Sequence, residues 1–130
     1  MSEAPRRVIT PKEAAEFRGI GGCIKRLIHP QTTGSENIQM AIVYMAPGEE
    51  VYYHRHVNEE AYFIISGQGV LTMEGHPDIE LKPNVAVYVP SNVPHGQKNT
   101  GDDPLVLITA LTPPITQPIE LLSKTWRPEE

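Results

Sequence analysis

Residues 48–67 read GEEVYYHRHVNEEAYFIISG, and within them His54, His56 and Glu60 decide how the rest of the chain is understood. Successive side chains of a β-strand alternate faces, so His54 and His56 point the same way about 6–7 Å apart. Their imidazoles can then converge on one point. If the chain stays extended, Glu60 has the same parity and turns its carboxylate to that side. Glu59 faces away, unless a bulge at Val57-Asn58 exchanges the two. His95 follows 35 residues after Glu60. Three imidazoles and one carboxylate in a pocket are the ligand set of a divalent transition metal with coordination positions left open. The plainer reading is a surface accident of strand histidines beside a solvated glutamate. Agreement among three separate elements favours the metal.

Composition bounds the answer. With 130 residues, 39% hydrophobic and 21% charged, residues 1–130 are expected to form one soluble globular domain around a single core. A formal charge of −5 disfavours a nucleic-acid partner, because phosphate binding needs concentrated Lys and Arg. No apolar run approaches the roughly 18 residues needed to span a membrane. The first twenty residues carry three Arg, one Lys and three Glu without an apolar core, so they do not read as a secretory signal. The lone Cys23 has no intramolecular disulfide partner, which fits a reducing, cytoplasmic setting and a buried thiol.

Thirteen Pro and ten Gly cut the chain into short pieces rich in Val, Ile, Tyr, Leu and Thr, the pattern of an all-β sandwich or barrel. Strands are expected at 22–29, 37–46, 50–56, 60–66, 69–74, 78–82, 85–89, 94–99 and 104–112. Thr10-Pro11-Lys12-Glu13 offers an N-cap, a Pro at the first helical position and a capping-box Glu, predicting a short N-terminal helix that stops near Gly19. Gly75-His76-Pro77-Asp78 reads as a hairpin loop. Several strands, 60–66 and 105–111 above all, are apolar on both faces. An antiparallel sheet with one wet face should alternate, so a second subunit is expected to cover the outer face, giving a homodimer. The other candidates for that cover are the chain's own segments 1–21 and 113–130.

Read outward from the ligands, the spacing is Gly48, five residues, His54-Arg55-His56, three residues, Glu60, six residues, Gly67. This resembles the first motif of the cupin superfamily at every fixed position. A second motif falls on Asn84, Pro90, Asn92, His95 and Asn99, where Asn84 and Asn92 stand in place of the family's Gly. After Gly, Asn best tolerates the left-handed backbone such turns need, and Asn84 after Pro83 suits a type II turn. The motif core is 48–99. The resemblance implies a double-stranded β-helix, a jelly-roll barrel, with one metal inside held by residues matching His54, His56, Glu60 and His95.

Tyr52 and Tyr62 share the ligands' parity and are expected to line the substrate pocket, as is Gln97 beside His95. Lys25 or Arg26 could anchor an anionic substrate, but parity does not choose between them. Arg55 and Lys98 should point outward. His29, beside Pro30, and His76, in its loop, read as surface residues. Four protein donors leave two octahedral positions open, for a bidentate substrate or for one substrate oxygen plus dioxygen. Fe(II) is the favoured metal; Mn, Ni, Co and Zn are compatible. The resemblance implies a metal-dependent enzyme on a small oxygenated molecule, with a dioxygenase (an oxidoreductase) as leading expectation. The alternatives are a lyase, isomerase or polyketide cyclase, and a non-catalytic ligand-binding protein.

Overall fold

The computed structural model describes residues 6–128. Among them the chain forms one 3-10 turn and eleven strands: β1 (Glu16–Phe17), β2 (Cys23–Ile28), β3 (Gln39–Met45), β4 (Glu50–Arg55), β5 (Glu59–Ser66), β6 (Gly69–Met73), β7 (His76–Leu81), β8 (Ala86–Val89), β9 (His95–Asn99), β10 (Leu105–Thr112) and β11 (Glu120–Leu121). They pair antiparallel into a six-stranded sheet, β1-β2-β3-β10-β5-β8, and a five-stranded sheet, β11-β4-β9-β6-β7. The two sheets face each other as a jelly-roll barrel. All nine strands expected from the turn pattern are present, within two residues at each boundary.

Period-2 alternation explains where the interior lies. Along β10, Leu105, Leu107, Thr109 and Leu111 are buried, while Val106, Ile108 and Ala110 are only half-buried. Leu105 and Leu107 join Val43, Met45, Ile64, Leu71 and Leu81 in a dry core. Thr109 and Leu111, further along the same strand, line a cavity instead. The barrel is therefore packed solid at one end and hollow at the other.

The short N-terminal helix reduces to a 3-10 turn at Pro11–Glu13. Its local signal is present, since the Thr10 N–H donates to Glu13 Oε1 at 3.0 Å. The helix stops because Glu16 and Phe17 pair with Lys25 and Ile24, and Ile20 is buried in the core, so sheet pairing overrides helix propensity. His76 belongs to β7 and is exposed; the reversal is the tighter turn at Glu74-Gly75.

The turn chemistry is as the sequence suggested. Asn84 and Asn92 have φ of 72° and 63°. Gly67 has φ of 86°, and a Cβ there would lie 2.4 Å from the Pro104 carbonyl oxygen. Its replacement by any other residue meets both backbone strain and a clash.

The C-terminal segment folds back over the five-stranded sheet. The Leu122 N–H donates to the Tyr53 carbonyl at 2.8 Å, and the Tyr53 N–H donates to the Thr125 carbonyl at 2.6 Å. Gly96 admits this crossing, because a Cβ there would sit 2.3 Å from the Trp126 carbonyl oxygen. Among the described residues the outer face of the six-stranded sheet has no such cover: Met40, Phe63, Ile65 and Tyr88 are 37%, 42%, 49% and 58% exposed.

Substitution Gly67→Ala is expected to destabilise the protein by about 2 kcal/mol or more. Urea denaturation should report this as a lower midpoint at unchanged slope.

Candidate metal centre

The histidines are brought together by a corner of the barrel. His54, the penultimate residue of β4, pairs in register with His95, the first residue of β9, at a ring separation of 4.3 Å. Strand β4 ends at Arg55, so His56, Val57 and Asn58 form the link by which the chain leaves one sheet for the other. Glu60 then projects inward from β5 in the opposite sheet, buried, while Glu59 is exposed and accepts a hydrogen bond from the Tyr88 hydroxyl at 2.6 Å. The inward choice of Glu60 thus matches the sequence expectation, although a turn between sheets, not one extended strand, produces it.

Each imidazole is held the same way. Nδ1 of His54 lies 2.6 Å from the Tyr52 carbonyl oxygen, Nδ1 of His56 3.0 Å from that of Asn58, and Nδ1 of His95 2.9 Å from that of Val93. A carbonyl only accepts, so Nδ1 carries the proton and Nε2 keeps its lone pair. One ligand atom from each of the three rings lies within 4.8 Å of the others, so the three histidines could hold a metal ion. Glu60 Oε1 adds to the cluster at 3.1 Å from His95 Nε2 and 3.3 Å from His56 Nε2. A carboxylate facing two imidazole lone pairs is stable only with positive charge between them, supplied by a proton or a cation. The donors therefore fit a divalent metal.

The electrostatics follow from burial and from these neighbours. Burial pushes the His54 pKa down to about 3, with the charge of His95 acting in the same direction. Burial opposes protonation of His56 too, yet its contact with Glu60 outweighs it and leaves the pKa raised. Burial likewise opposes ionisation of Glu60, but hydrogen bonds from His56 and His95 prevail and hold its carboxyl well below the usual carboxylate range. Burial, and then the charge of Glu60, push the Tyr62 phenol well above its ordinary value.

The cluster opens on a narrow cavity of about 40 Å³, which Tyr62 and Gln97 line as expected. Gln97 is buried, and its Oε1 has no partner. Tyr52 is half-buried and absent from the lining. The reason is a register shift: Val51 pairs with Gln97 but His54 with His95, three residues on β4 against two on β9. The extra residue resets the alternation, so Val51 and His54 both face inward and Tyr52 loses the parity it had in a regular strand.

The structure chooses between the two basic residues of β2. Lys25 lies on the outer face and donates to the Pro11 carbonyl at 2.9 Å, whereas Arg26 lines the cavity. His29 is buried, contrary to the surface expectation. Its Nδ1 accepts from the Gln31 N–H at 3.1 Å and its Nε2 lies 3.0 Å from the Ile115 carbonyl oxygen, so it ties the C-terminal segment to the barrel. Asn58, which sequence reasoning passed over, is fully buried. Beyond orienting His56, its amide donates to the Pro113 carbonyl and accepts from Gln117 Nε2 at 3.0 Å. An Asn in a link between strands carries no local mark of such long-range partners.

Comparison with known proteins places these motifs in context. The family described as Cupin domain matches residues 41–111. Protein MJ1618 of Methanocaldococcus jannaschii is 30% identical over 95 residues, covering 72% of this chain and 75% of its own. Dimethylsulfoniopropionate lyase DddQ of Ruegeria pomeroyi is 38% identical over 74 residues, 57% of this chain but 36% of the lyase. Its crystal structure superposes with a TM-score of 0.71 at 28% identity, covering 87% of this chain and 58% of that one. Polyketide synthase CurC of Streptomyces cyaneus is 27% identical over 119 residues, 91% of this chain and 77% of the other.

Because contact with Glu60 raises the His56 pKa while burial holds that of His54 down to about 3, metal uptake is expected to displace a proton from His56. Affinity should fall as the pH drops through the His56 pKa. Titration calorimetry with Mn(II) or Zn(II) in buffers of different ionisation enthalpy measures the proton count directly.

Proposed function

Since the chain belongs to the cupin family, we propose that it is a metal-dependent enzyme acting on a small oxygenated organic molecule, with His54, His56, Glu60 and His95 as the ligands of one divalent ion. The observation that carries this reading is the shared orientation of the three imidazoles, Nδ1 tethered to a backbone carbonyl and Nε2 turned inward, around a buried carboxylate. A divalent ion bound there supplies Lewis acidity toward a substrate oxygen.

The chain's own residues have distinct tasks. Tyr62, kept protonated beside Glu60, is a hydrogen-bond donor that does not ionise at working pH. The spare Oε1 of Gln97 can accept from a substrate hydroxyl and set its orientation. Ile20, Ile24 and Leu111 make the surrounding wall apolar and keep bulk water from the reacting atoms.

Two reaction types suit the site. A dioxygenase using Fe(II) follows from the two coordination positions that four protein donors leave free, and Mn, Ni, Co or Zn fit the same donors. A lyase reaction without oxygen is supported by the likeness to dimethylsulfoniopropionate lyase DddQ, which extends into sequence as well as fold, and the sequence likeness to polyketide synthase CurC keeps a cyclase alongside it. That second type carries more weight. A non-catalytic binding protein would return its ligand unchanged.

A single assay series separates these outcomes. The metal-loaded protein is offered diketone, phenolic and hydroxy-acid substrates with and without oxygen. Turnover that persists anaerobically supports the lyase or cyclase reading, oxygen uptake supports the dioxygenase, and binding without turnover in either condition defeats the enzyme reading. Loss of the His95 imidazole in His95→Ala should weaken metal affinity by more than the roughly 10–100-fold typical of losing an outer hydrogen-bond partner.

The homodimer reading rests on the bare apolar face of the six-stranded sheet, where Met40, Phe63 and Ile65 offer a self-complementary surface to a second copy. Light scattering after size exclusion should give twice the mass of one chain. Phe63→Lys should yield monomers; an unchanged mass would remove this face from the interface. The buried thiol of Cys23 accords with a cytoplasmic setting.

A further inference from the structure

Strand β2 puts one charged residue on the inner wall of the barrel. Arg26 pairs in register with Ala41, fully buried, whose single methyl leaves room for a guanidinium to lie inside the sheet. The Phe17 ring supports the guanidinium carbon at 4.7 Å from its centroid. Nε of Arg26 is buried with no hydrogen-bond partner, and no ion pair reaches Arg26 among the described residues. A permanent charge half removed from water and left without a counter-ion is unfavourable, so the position suits an anion arriving from solvent.

Its location gives that anion a role. Arg26 lines the narrow cavity of the histidine cluster and also a wider one of about 320 Å³. Phe17, Ile115 and Ile119 are likewise common to both, so Arg26 stands at the threshold between an outer chamber and the inner site. The inner cavity holds one acid, Glu60, at the cluster, and one permanent cation, Arg26, at the threshold. Such a dipole admits a molecule in one direction, with its negative end at Arg26 and its neutral, oxygen-bearing end toward the histidines.

Resting on the reading of His54, His56, Glu60 and His95 as metal ligands, we infer that Arg26 anchors the carboxylate of the substrate, which is a small carboxylic acid carrying a second donor oxygen. The planar fork of a guanidinium matches a carboxylate through two parallel N–H bonds. The apolar wall at Ile20, Ile24 and Ile119 suits the short carbon chain between the two ends.

The test uses 3-hydroxypropionate and lactate as probes, with their neutral amides as controls, on the full chain with and without Mn(II) replaced by diamagnetic Zn(II) for NMR. The two acids should move the Arg26 Nε–H resonance, and the amides should not. Arg26→Gln should weaken binding of the acids by roughly tenfold or more while leaving zinc stoichiometry unchanged, which also reports correct folding. Arg26→Lys, keeping the charge but not the fork, should lose several-fold. Equal binding of acids and amides, or undiminished acid binding by both variants, overturns the inference. If zinc does not bind but the acids still move Arg26, the carboxylate anchor stands and the metal reading falls. If zinc binds and Arg26 stays unmoved, the anchor alone falls. Should Arg26→Gln fail to fold, the contrast between acid and amide on the unaltered chain decides.

Discussion

Three backbone carbonyls, those of Tyr52, Asn58 and Val93, each hold an imidazole two residues away by its Nδ1–H. The rings have no freedom to swing their other nitrogens outward without breaking a buried hydrogen bond, which is costly where water does not reach. Orientation is therefore a local property of the backbone around each histidine. Convergence is a property of the sheet corner that brings the three together. Glu60, arriving from the opposite sheet, completes an arrangement in which lone pairs and carboxylate repel one another unless a positive charge lies among them. A proton or a bound cation can supply that charge.

The two outer faces of the barrel differ in the same physical way. Residues 120–125 bond along the edge of β4 and the backbone at Trp126 then lies against β9, admitted by the missing side chain of Gly96. Among the described residues nothing comparable crosses β5 and β10, whose outward residues include Ala61, Phe63, Ile65, Val106, Ile108 and Ala110. Apolar patterning on both faces of these strands was the sequence trace of that difference. It registers that a cover is required without specifying which chain supplies it.

Much of the fold could be read from punctuation. Pro, Gly and Asn delimit the strands, and the left-handed turns at Asn84 and Asn92 follow from the tolerance for such backbone that Asn shows best after Gly. The grouping of His54, His56 and His95 was legible because spacing across a strand pair is conserved geometry, not packing. What stayed hidden depends on contacts far apart in sequence. Tyr52 and Tyr53 are chemically equal, so nothing local indicates a bulge between Val51 and His54 that removes one of them from the interior. Lys25 and Arg26 are likewise equivalent until the register with β3 sets Arg26 opposite Ala41. His29 reads as a loop residue beside Pro30, yet its partner Ile115 lies 86 positions away. The N-terminal turn carries a complete local helix signal and still yields to strand pairing.

The cavity walls divide by origin. Donors to the cluster come from β4, its corner, β5 and β9, all within residues 54–95, whereas Phe17, Ile20, Arg26, Ile115 and Ile119 come from the chain's two ends. On the reading proposed above, the metal ligands and much of the entrance to the site are thus written in separate stretches of polypeptide. Drift in the terminal stretches can retune which molecule is admitted without disturbing the imidazoles, so one chemical apparatus can be inherited intact while its clientele changes.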